Sequence, residues 1–147
     1  MIHDAMNRAD PWVANSDADI LACFDALLEL RPHLRRDTFL ARVRSQQAQG
    51  YQIVAIGAGA AIPAVAGFRL ADFLAWGKVL YIDDLITLPA ARGRGRATLL
   101  LQWLIAHARA QRCDAVHLDT GYGRHDAHRL YLNLGFRLTS HHMALQL

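Results

Sequence analysis

A long apolar segment, an arginine–glycine turn and an amphipathic helix follow one another directly, and together they constrain the fold of this chain most. Val79–Leu88 is almost entirely apolar, which predicts a buried strand that ends at Pro89. The turn Arg92–Ala97 comes next. The helix after it has apolar residues at helical spacing: Ala97, Leu100, Leu101, Leu104, Ile105 and Ala108. A second strand, Val116–Asp119, completes a right-handed βαβ unit with two parallel strands.

Other segments predict further strands around this unit. Pro11–Ala14 is short and suits the edge of a sheet. Tyr51–Ile56 and Ala64–Leu70 are rich in β-branched and aromatic residues and flank a glycine-containing loop, which predicts a β-hairpin. Phe136–Leu138 and His142–Leu147 are expected to add closing strands.

Two helices are predicted before the hairpin. Ser16 and Asp19 form a capping-box pattern at the start of the first helix, which Pro32 ends. Asp37 is the expected N-cap of the second helix, and Gly50 ends it.

Length and composition favour one compact domain over residues 1–147. Hydrophobic residues make up 53% of the 147 positions and charged residues 20%. No apolar run approaches the roughly 20 residues that cross a bilayer. The first ten residues lack the order of a secretory signal. Cys23 and Cys113 are too few for a disulfide framework and are expected to be small buried side chains, so we expect a cytoplasmic protein.

The arginine–glycine turn has the composition of an anion-binding site. Gly93 and Gly95 let the backbone approach a ligand, and the first N–H groups of a helix that begins here lack intrahelical acceptors. Arg92, Arg94 and Arg96 add positive charge that suits a pyrophosphate. The spacing does not fit the usual ATP or dinucleotide motifs. The alternative is that the glycines only form a tight turn.

At this point the residues resemble a known family. Leu85–Ala97, followed by Leu99–Leu100, is similar to motif A of the GNAT superfamily of acyl-CoA-dependent N-acyltransferases, whose signature is Arg/Gln-x-x-Gly-x-Gly/Ala after the fourth strand. Farther on, Ala127, Leu130–Tyr131 and Gly135–Phe136 resemble motif B, a short helix with a tyrosine and a terminal Gly-Phe. The two motifs stand in the family's order and at its separation.

A narrower likeness concerns the acceptor. Arg124–Leu132 is similar to the corresponding segment of aminoalkylphosphonate N-acetyltransferases, a subgroup that acetylates small primary amines. The resemblance implies an N-acetyltransferase that transfers an acetyl group from acetyl-CoA, its co-substrate, to a primary amine of a small molecule.

The resemblance also implies an α/β (α+β) fold and a cofactor site. The expected sheet is mixed, mostly antiparallel and splayed between strands 4 and 5, with about four flanking helices. The pantetheine arm would enter the gap as an added strand, and the pyrophosphate would meet N–H groups at the start of the helix. Arg124 stands where family members often have an asparagine that contacts CoA. The expected cofactor-binding residues are Leu85, Ile86, Thr87, Arg92, Gly93, Arg94, Gly95, Arg96, Ala97, Thr98 and Arg124.

Transfer to an amine requires proton acceptors and donors, because an alkylamine has a pKa of about 10.4. Asp83 and Asp84 lie on the strand beside the expected thioester, and strand alternation predicts that only one of them faces the acceptor. Asp83 ranks slightly first, and ordered water is an alternative base. Tyr131 is the candidate acid for the departing CoA thiolate, and its alternative role is packing on the apolar face of its helix.

The acceptor pocket and the oligomeric state are less constrained. Asp37, Tyr51, Trp76 and Tyr122 are candidates for its lining, and a homodimer is a family-level expectation. The histidines carry no recognised zinc motif, so no metal is predicted; the pairs considered are His125/His128 and His141/His142.

Two other function classes compete with an enzyme. A nucleic-acid-binding module would explain the formal net charge of +3 and the arginines, but not the strand–turn–helix order or the scarcity of aromatic residues among them. A non-catalytic CoA-binding sensor would keep the turn and need no base, against which Asp83 and Asp84 argue mildly.

Overall fold

The computed structural model describes residues 9–59 and 62–147. These residues divide into two compact units, with the boundary between His117 and Leu118. The strands are β1 Trp12–Val13, β2 Tyr51–Ile56, β3 Ala64–Phe73, β4 Gly77–Thr87 and β5 Ala115–Leu118. The helices are α1 Asp17–Ala22, α2 Phe24–Leu30, α3 Arg36–Gln47, α4 Arg96–Ala110 and α5 His125–Asn133, with a 3₁₀ turn at Pro89–Ala91.

The five strands form one sheet in the order β1-β2-β3-β4-β5. β1 to β4 pair antiparallel, and β5 is parallel to β4, so the predicted mixed, mostly antiparallel sheet is confirmed. The Asp114 N–H donates to the Lys78 carbonyl at 2.7 Å, which joins the starts of β4 and β5. β4 has 11 residues and β5 has 4, so β4 extends past the end of β5. The expected splaying of the two strands stays a prediction.

The predicted first helix is present as two helices. The Ser16 side chain and the Asp19 backbone and carboxylate form the expected capping box. At Cys23, however, the backbone N–H donates to the Ile20 carbonyl, three residues back, and α1 ends there. α2 begins at Phe24, so five α-helices are present among residues 9–59 and 62–147 where about four were expected.

Asp37 is not the N-cap of α3, which corrects the sequence interpretation. Arg35 occupies that position without a capping side chain, and Asp37 lies in the first helical turn. The Asp37 carboxylate accepts two hydrogen bonds from the Arg35 guanidinium, the shorter at 2.8 Å. The carboxylate therefore stabilises the helix start by its charge beside the N-terminal dipole.

The two faces of the sheet bury different helices. α1, α2 and α3 cover one face, where Ile20, Phe24 and Ile53 lie in the main apolar cluster. α4 packs against β2, β3 and β4. On β3, Phe68 is fully buried and contacts Trp103 of α4 with ring centroids 5.8 Å apart.

Residues 118–147 contain α5, which is followed by a segment without helix or strand. Gly135, with φ +96°, ends α5 as predicted, and the Phe136 N–H donates back to the Tyr131 carbonyl at 3.0 Å. The closing strands predicted at Phe136–Leu138 and His142–Leu147 are wrong: both segments are described and neither is a strand. An apolar alternation is not sufficient for a strand, which also needs a backbone partner.

No helix in the part of the chain that the structure describes is both long enough and apolar enough to cross a bilayer.

Candidate active site

A β-bulge brings both candidate carboxylates to one side of the sheet. In the β3–β4 ladder Gly67 pairs with Asp84, whereas the next residue, Phe68, pairs with Ile82, so Asp83 is an extra residue on β4. The side chains of Asp83 and Asp84 consequently line the same cavity. The regular alternation assumed from the sequence is therefore wrong at this point of β4, and which of the two carboxylates faces the acceptor stays a prediction.

Each carboxylate is held by an arginine. The Arg69 guanidinium donates to both oxygens of Asp83, with Nη2 2.6 Å from Oδ2 and Nε 3.1 Å from each oxygen. Arg31 Nε donates to Asp84 Oδ1 at 2.9 Å, and Arg31 Nη2 donates to the Asp83 carbonyl at 3.0 Å. The buried Tyr51 hydroxyl donates to Asp84 Oδ2 at 2.9 Å. The geometry fixes both carboxylates in position.

Burial changes the titration of this cluster. Desolvation raises the pKa of Asp83 above its ordinary value, although the hydrogen bonds and charge of Arg69 act in the opposite direction. Burial, followed by the charge of Asp84, raises the pKa of the Tyr51 hydroxyl well above its ordinary value. Tyr51 therefore stays protonated and acts as a hydrogen-bond donor to Asp84.

Gly67 makes room for the tyrosine. A Cβ atom at Gly67 would collide with the hydroxyl and the ring edge of Tyr51. Arg69, which is paired with Tyr51 in the β2–β3 ladder, lies over the same ring at 5.5 Å from its centroid. The missing side chain at Gly67 thus allows the tyrosine hydroxyl to reach Asp84.

The cavity beside the carboxylates has a volume of about 430 Å³. Its walls come from α2, α3, β2 and β4 and the segment between the two helices, and it is of a size that holds a small ligand. Phe39, Arg42, Val43 and Gln46 repeat at helical spacing on the side of α3 that faces it. Gln46 Oε1 accepts a hydrogen bond from Arg69 Nη2 at 3.2 Å, which links α3 to the Asp83 carboxylate.

The arginine–glycine turn ends in an uncapped helix. Gly93 and Gly95 have φ values of +80° and +74°, and Gly95 is the N-cap of α4 without any capping side chain. Arg92 Nε donates to the Thr87 carbonyl at 3.2 Å, and Arg96 Nη1 donates to the Ala91 carbonyl at 2.9 Å. These contacts hold the turn. They leave the first N–H groups of α4 directed outward, as an anion site requires.

Thr87, at the end of β4, has a polar atom that suits a ligand. Its Oγ1 is buried and has no hydrogen-bond partner within the described residues. A buried hydroxyl without a partner is unfavourable. This observation fits the expectation that Thr87 contacts a bound cofactor.

Motif B lies in residues 118–147. Tyr131, on α5, packs against Phe136 with ring centroids 5.8 Å apart, and burial raises the pKa of its hydroxyl while Arg124 lowers it less. Arg124 is the N-cap residue of α5 and provides no side-chain cap. Tyr131 therefore keeps its proton at neutral pH, as a proton donor must.

Of the candidate acceptor residues, only Tyr51 lines the described cavity. Asp37 is exposed and paired with Arg35, and Trp76 packs on His117 with ring centroids 4.3 Å apart. Tyr122 is exposed, and its hydroxyl oxygen lies 3.4 Å from Nδ1 of His141. Within residues 9–59 and 62–147, no group of three or more His, Cys, Asp or Glu side chains is arranged to hold a metal.

Sequence reasoning missed the residues that surround the carboxylates. Arg31, Arg69 and Gln46 are far from them along the chain, and no local motif marks them. The signal for Arg69 was present: in a hairpin that pairs Tyr51 with Arg69, both side chains lie on one face of the sheet.

Comparisons with known proteins identify the family of the chain. The model of the acetyltransferase (GNAT) family matches residues 12–136. An uncharacterized N-acetyltransferase of Bacillus subtilis is 32% identical over 120 residues, which cover 80% of this chain and 84% of the relative. An aminoalkylphosphonate N-acetyltransferase of Salmonella typhimurium is 38% identical over 56 residues, 38% of this chain and 36% of the relative.

Solved structures share the fold. An aminoglycoside N-acetyltransferase in complex with CoA superposes with a TM-score of 0.78 at 18% identity, covering 92% of this chain and 93% of the other. A Trypanosoma brucei acetyltransferase superposes with a TM-score of 0.77 at 23% identity, covering 94% of this chain and 99% of the other.

Proposed function

Because the chain belongs to the GNAT family of acetyltransferases, we propose that it transfers an acetyl group from acetyl-CoA to the primary amine of a small molecule. The observation that carries the proposal is the bulge in β4. It directs Asp83 and Asp84 into one cavity of about 430 Å³, beside the strand end and turn that resemble the family's cofactor motif.

The proposed cofactor site runs along β4 and onto α4. Leu85, Ile86 and Thr87 follow the bulge and extend past the end of β5, so their outer backbone edge can accept the pantetheine arm as an added strand. Thr87 Oγ1 would gain the hydrogen bond that it lacks.

The pyrophosphate would bind where α4 begins. Gly93 and Gly95 have no side chains that would block access to the backbone there. The N–H groups of Arg96, Ala97 and Thr98 point out of the first helical turn. The side chains of Arg92, Arg94 and Arg96 would add positive charge around this turn, and Arg124 of motif B is a further candidate for the cofactor.

The proposed reaction is direct transfer. The amine nitrogen attacks the thioester carbonyl carbon, a C–N bond forms, and the C–S bond breaks with its electron pair going to sulfur. Asp83, or Asp84, accepts the proton of the amine directly or through water, and the Tyr131 hydroxyl donates a proton to the thiolate. The products are an N-acetylated amine and CoA.

The arginine partners of the two carboxylates also affect a bound amine. Arg31 and Arg69 offset the negative charges of Asp84 and Asp83. They limit how far the carboxylates raise the pKa of a bound amine, so a larger fraction of the acceptor would be unprotonated and able to attack.

Three wider properties are part of the proposal. Residues 1–147 act as one acetyltransferase domain, which the family match over residues 12–136 supports because it spans both compact units. The free thiols of Cys23 and Cys113 suit the reducing cytoplasm. A homodimer is proposed from the family resemblance alone.

A binding assay separates this function from the two competing classes. We expect acetyl-CoA and CoA to raise the unfolding temperature of the protein, and ATP and a short RNA to leave it unchanged, because ligand binding to the folded state stabilises it. Stabilisation by RNA alone would instead support a nucleic-acid module. Stabilisation by acetyl-CoA without turnover of any amine would support a sensor.

A further inference from the structure

Arg42 is a charged side chain of the carboxylate cavity that has no hydrogen bond or ion pair with any other described residue. It lies on the cavity face of α3, one turn before Gln46, and is exposed. No acidic side chain within the described residues pairs with it, whereas Arg31 and Arg69 are both paired with carboxylates. The cavity is therefore left with an uncompensated positive charge.

The position of this charge relative to the carboxylates is defined by α3. Gln46 contacts Arg69, which holds Asp83, so this part of α3 lies beside the carboxylate end of the cavity. Arg42 stands one helical turn away from Gln46, a rise of about 6 Å. The cavity thus has a basic group on α3, one helical turn from the glutamine that contacts the arginine partner of Asp83.

We propose that the acceptor amine carries an anionic group, and that Arg42 binds this group while the amine lies at Asp83 and Asp84. The inference rests on the proposed acetyl transfer and specifies its substrate class. A guanidinium forms charge-assisted, often bidentate hydrogen bonds with a carboxylate or phosphonate, and such bonds orient a small molecule. An amine without an anion would leave the positive charge of Arg42 without a counter-charge in the cavity.

Matched pairs of acceptors test the inference. Glycine, β-alanine and 4-aminobutanoate are each compared with the corresponding amide, which keeps the amine and chain length and removes the anion. 2-Aminoethylphosphonate is compared with β-alanine to distinguish a phosphonate from a carboxylate. At saturating acetyl-CoA, we expect kcat/KM to be at least about tenfold higher for the anionic member of the best pair, the size of a charge-assisted hydrogen bond.

Variants test whether Arg42 causes the preference for anionic acceptors. Arg42→Gln should raise the KM of the anionic acceptor about tenfold or more with kcat nearly unchanged, and should leave kcat/KM of the neutral amide within about twofold. Arg42→Lys should restore part of the loss, because it keeps the charge. Arg109→Gln, which removes an exposed arginine of α4 and changes the net charge equally, should behave as the parent.

The outcomes separate the inference from the function. If amides and acids are acetylated equally well, or Arg42→Gln weakens both alike, the inference is wrong while the acetyltransferase function stands. If no amine of either kind is acetylated although acetyl-CoA binds, the proposed function is wrong and the inference falls with it.

Discussion

Asp83 is the residue whose ionisation should govern the pH dependence of the reaction. Burial raises its pKa, so on acidification it gains a proton at a higher pH than an exposed aspartate does. Above that pKa the carboxylate can accept the proton of the amine, and below it that role is lost. The acidic side of the pH–rate profile is therefore expected to follow Asp83.

Replacing Asp83 by Asn should lower kcat/KM by about 10²–10⁴-fold at neutral pH, the usual contribution of a general base. The difference between variant and parent should shrink as the pH falls through the raised pKa of Asp83, because the parent then also carries a neutral group. Asp84→Asn is the matched comparison. An equal loss for Asp83→Asn at every pH would mean that Asp83 has only a structural role.

Tyr131 can be tested by removing a single oxygen atom. Tyr131→Phe keeps the ring that packs on Phe136 and loses the proposed proton donor to the thiolate. We expect kcat to fall within the range of about 10²–10⁴-fold that is typical of general acid catalysis, with the affinity for acetyl-CoA unchanged. Steady-state kinetics and a binding titration measure the two quantities. A kcat within about twofold of the parent would leave Tyr131 as a packing residue.

A substitution at Gly95 tests whether the arginine–glycine turn binds the pyrophosphate of the cofactor. A Cβ atom there would point into open space, but φ +74° strains any other residue, and a Glu side chain would bring negative charge to the proposed pyrophosphate site. Gly95→Glu should abolish detectable acetyl-CoA binding in a calorimetric titration.

Gly50→Glu is the matched control for this change, because Gly50 also has a positive φ, +95°, and belongs to the turn before β2. It carries the same backbone strain and added charge and should bind acetyl-CoA as the parent does. If Gly95→Glu binds acetyl-CoA as tightly as Gly50→Glu, the pyrophosphate lies elsewhere.

Among the elements, the contact between β2 and β3 helps to position Asp84, a candidate catalytic carboxylate. Gly67→Ala should displace Tyr51 from Asp84 and destabilise the protein by about 1–3 kcal/mol, the usual cost of overpacking a filled core. Urea unfolding measures this loss.

A double-mutant cycle tests whether the contact with Tyr51 causes the loss of stability in Gly67→Ala. In a Tyr51→Val background the added methyl group has space, so Gly67→Ala should cost clearly less than it does alone. Equal costs in both backgrounds would show that the tyrosine is not what requires a glycine at position 67.

The elements show how far the sequence could predict the molecule. The capping box at Ser16, the hairpin, the strand–turn–helix around Gly95 and the end of α5 at Gly135 follow from local rules, and all are present. Local rules did not predict the features that depend on pairing between residues distant along the chain. The bulge at Asp83 depends on the register with β3, and the tail after Gly135 has apolar alternation but forms no strand.

The candidate site could likewise be predicted from the sequence only in part. Motif residues such as Gly95 and Asp83 were found because the sequence near them is distinctive. Arg31 and Arg42 could not be found, since each comes from a different element and only the fold assembles them around the carboxylates. Arg69 could have been placed beside Tyr51 from the pairing of the hairpin.

In the molecule as a whole, β4 contributes to both proposed sites. The strand end and turn after the bulge would hold the cofactor, and the cavity beside the bulge would hold the amine. In this proposal the arginines of the turn would surround an anion, whereas Arg31 and Arg69 hold the carboxylates of the cavity. Binding of an anionic cofactor would be one use of the formal net charge of +3.

The most direct test of the central claim is to incubate the purified protein with acetyl-CoA and small primary amines, and to measure both released CoA thiol and N-acetylated amine by mass spectrometry. We expect the two products to appear in equal amounts with at least one amine, and both to disappear in Gly95→Glu but not in Gly50→Glu. Release of CoA without any acetylated amine, or no product from any amine although acetyl-CoA binds, would contradict it.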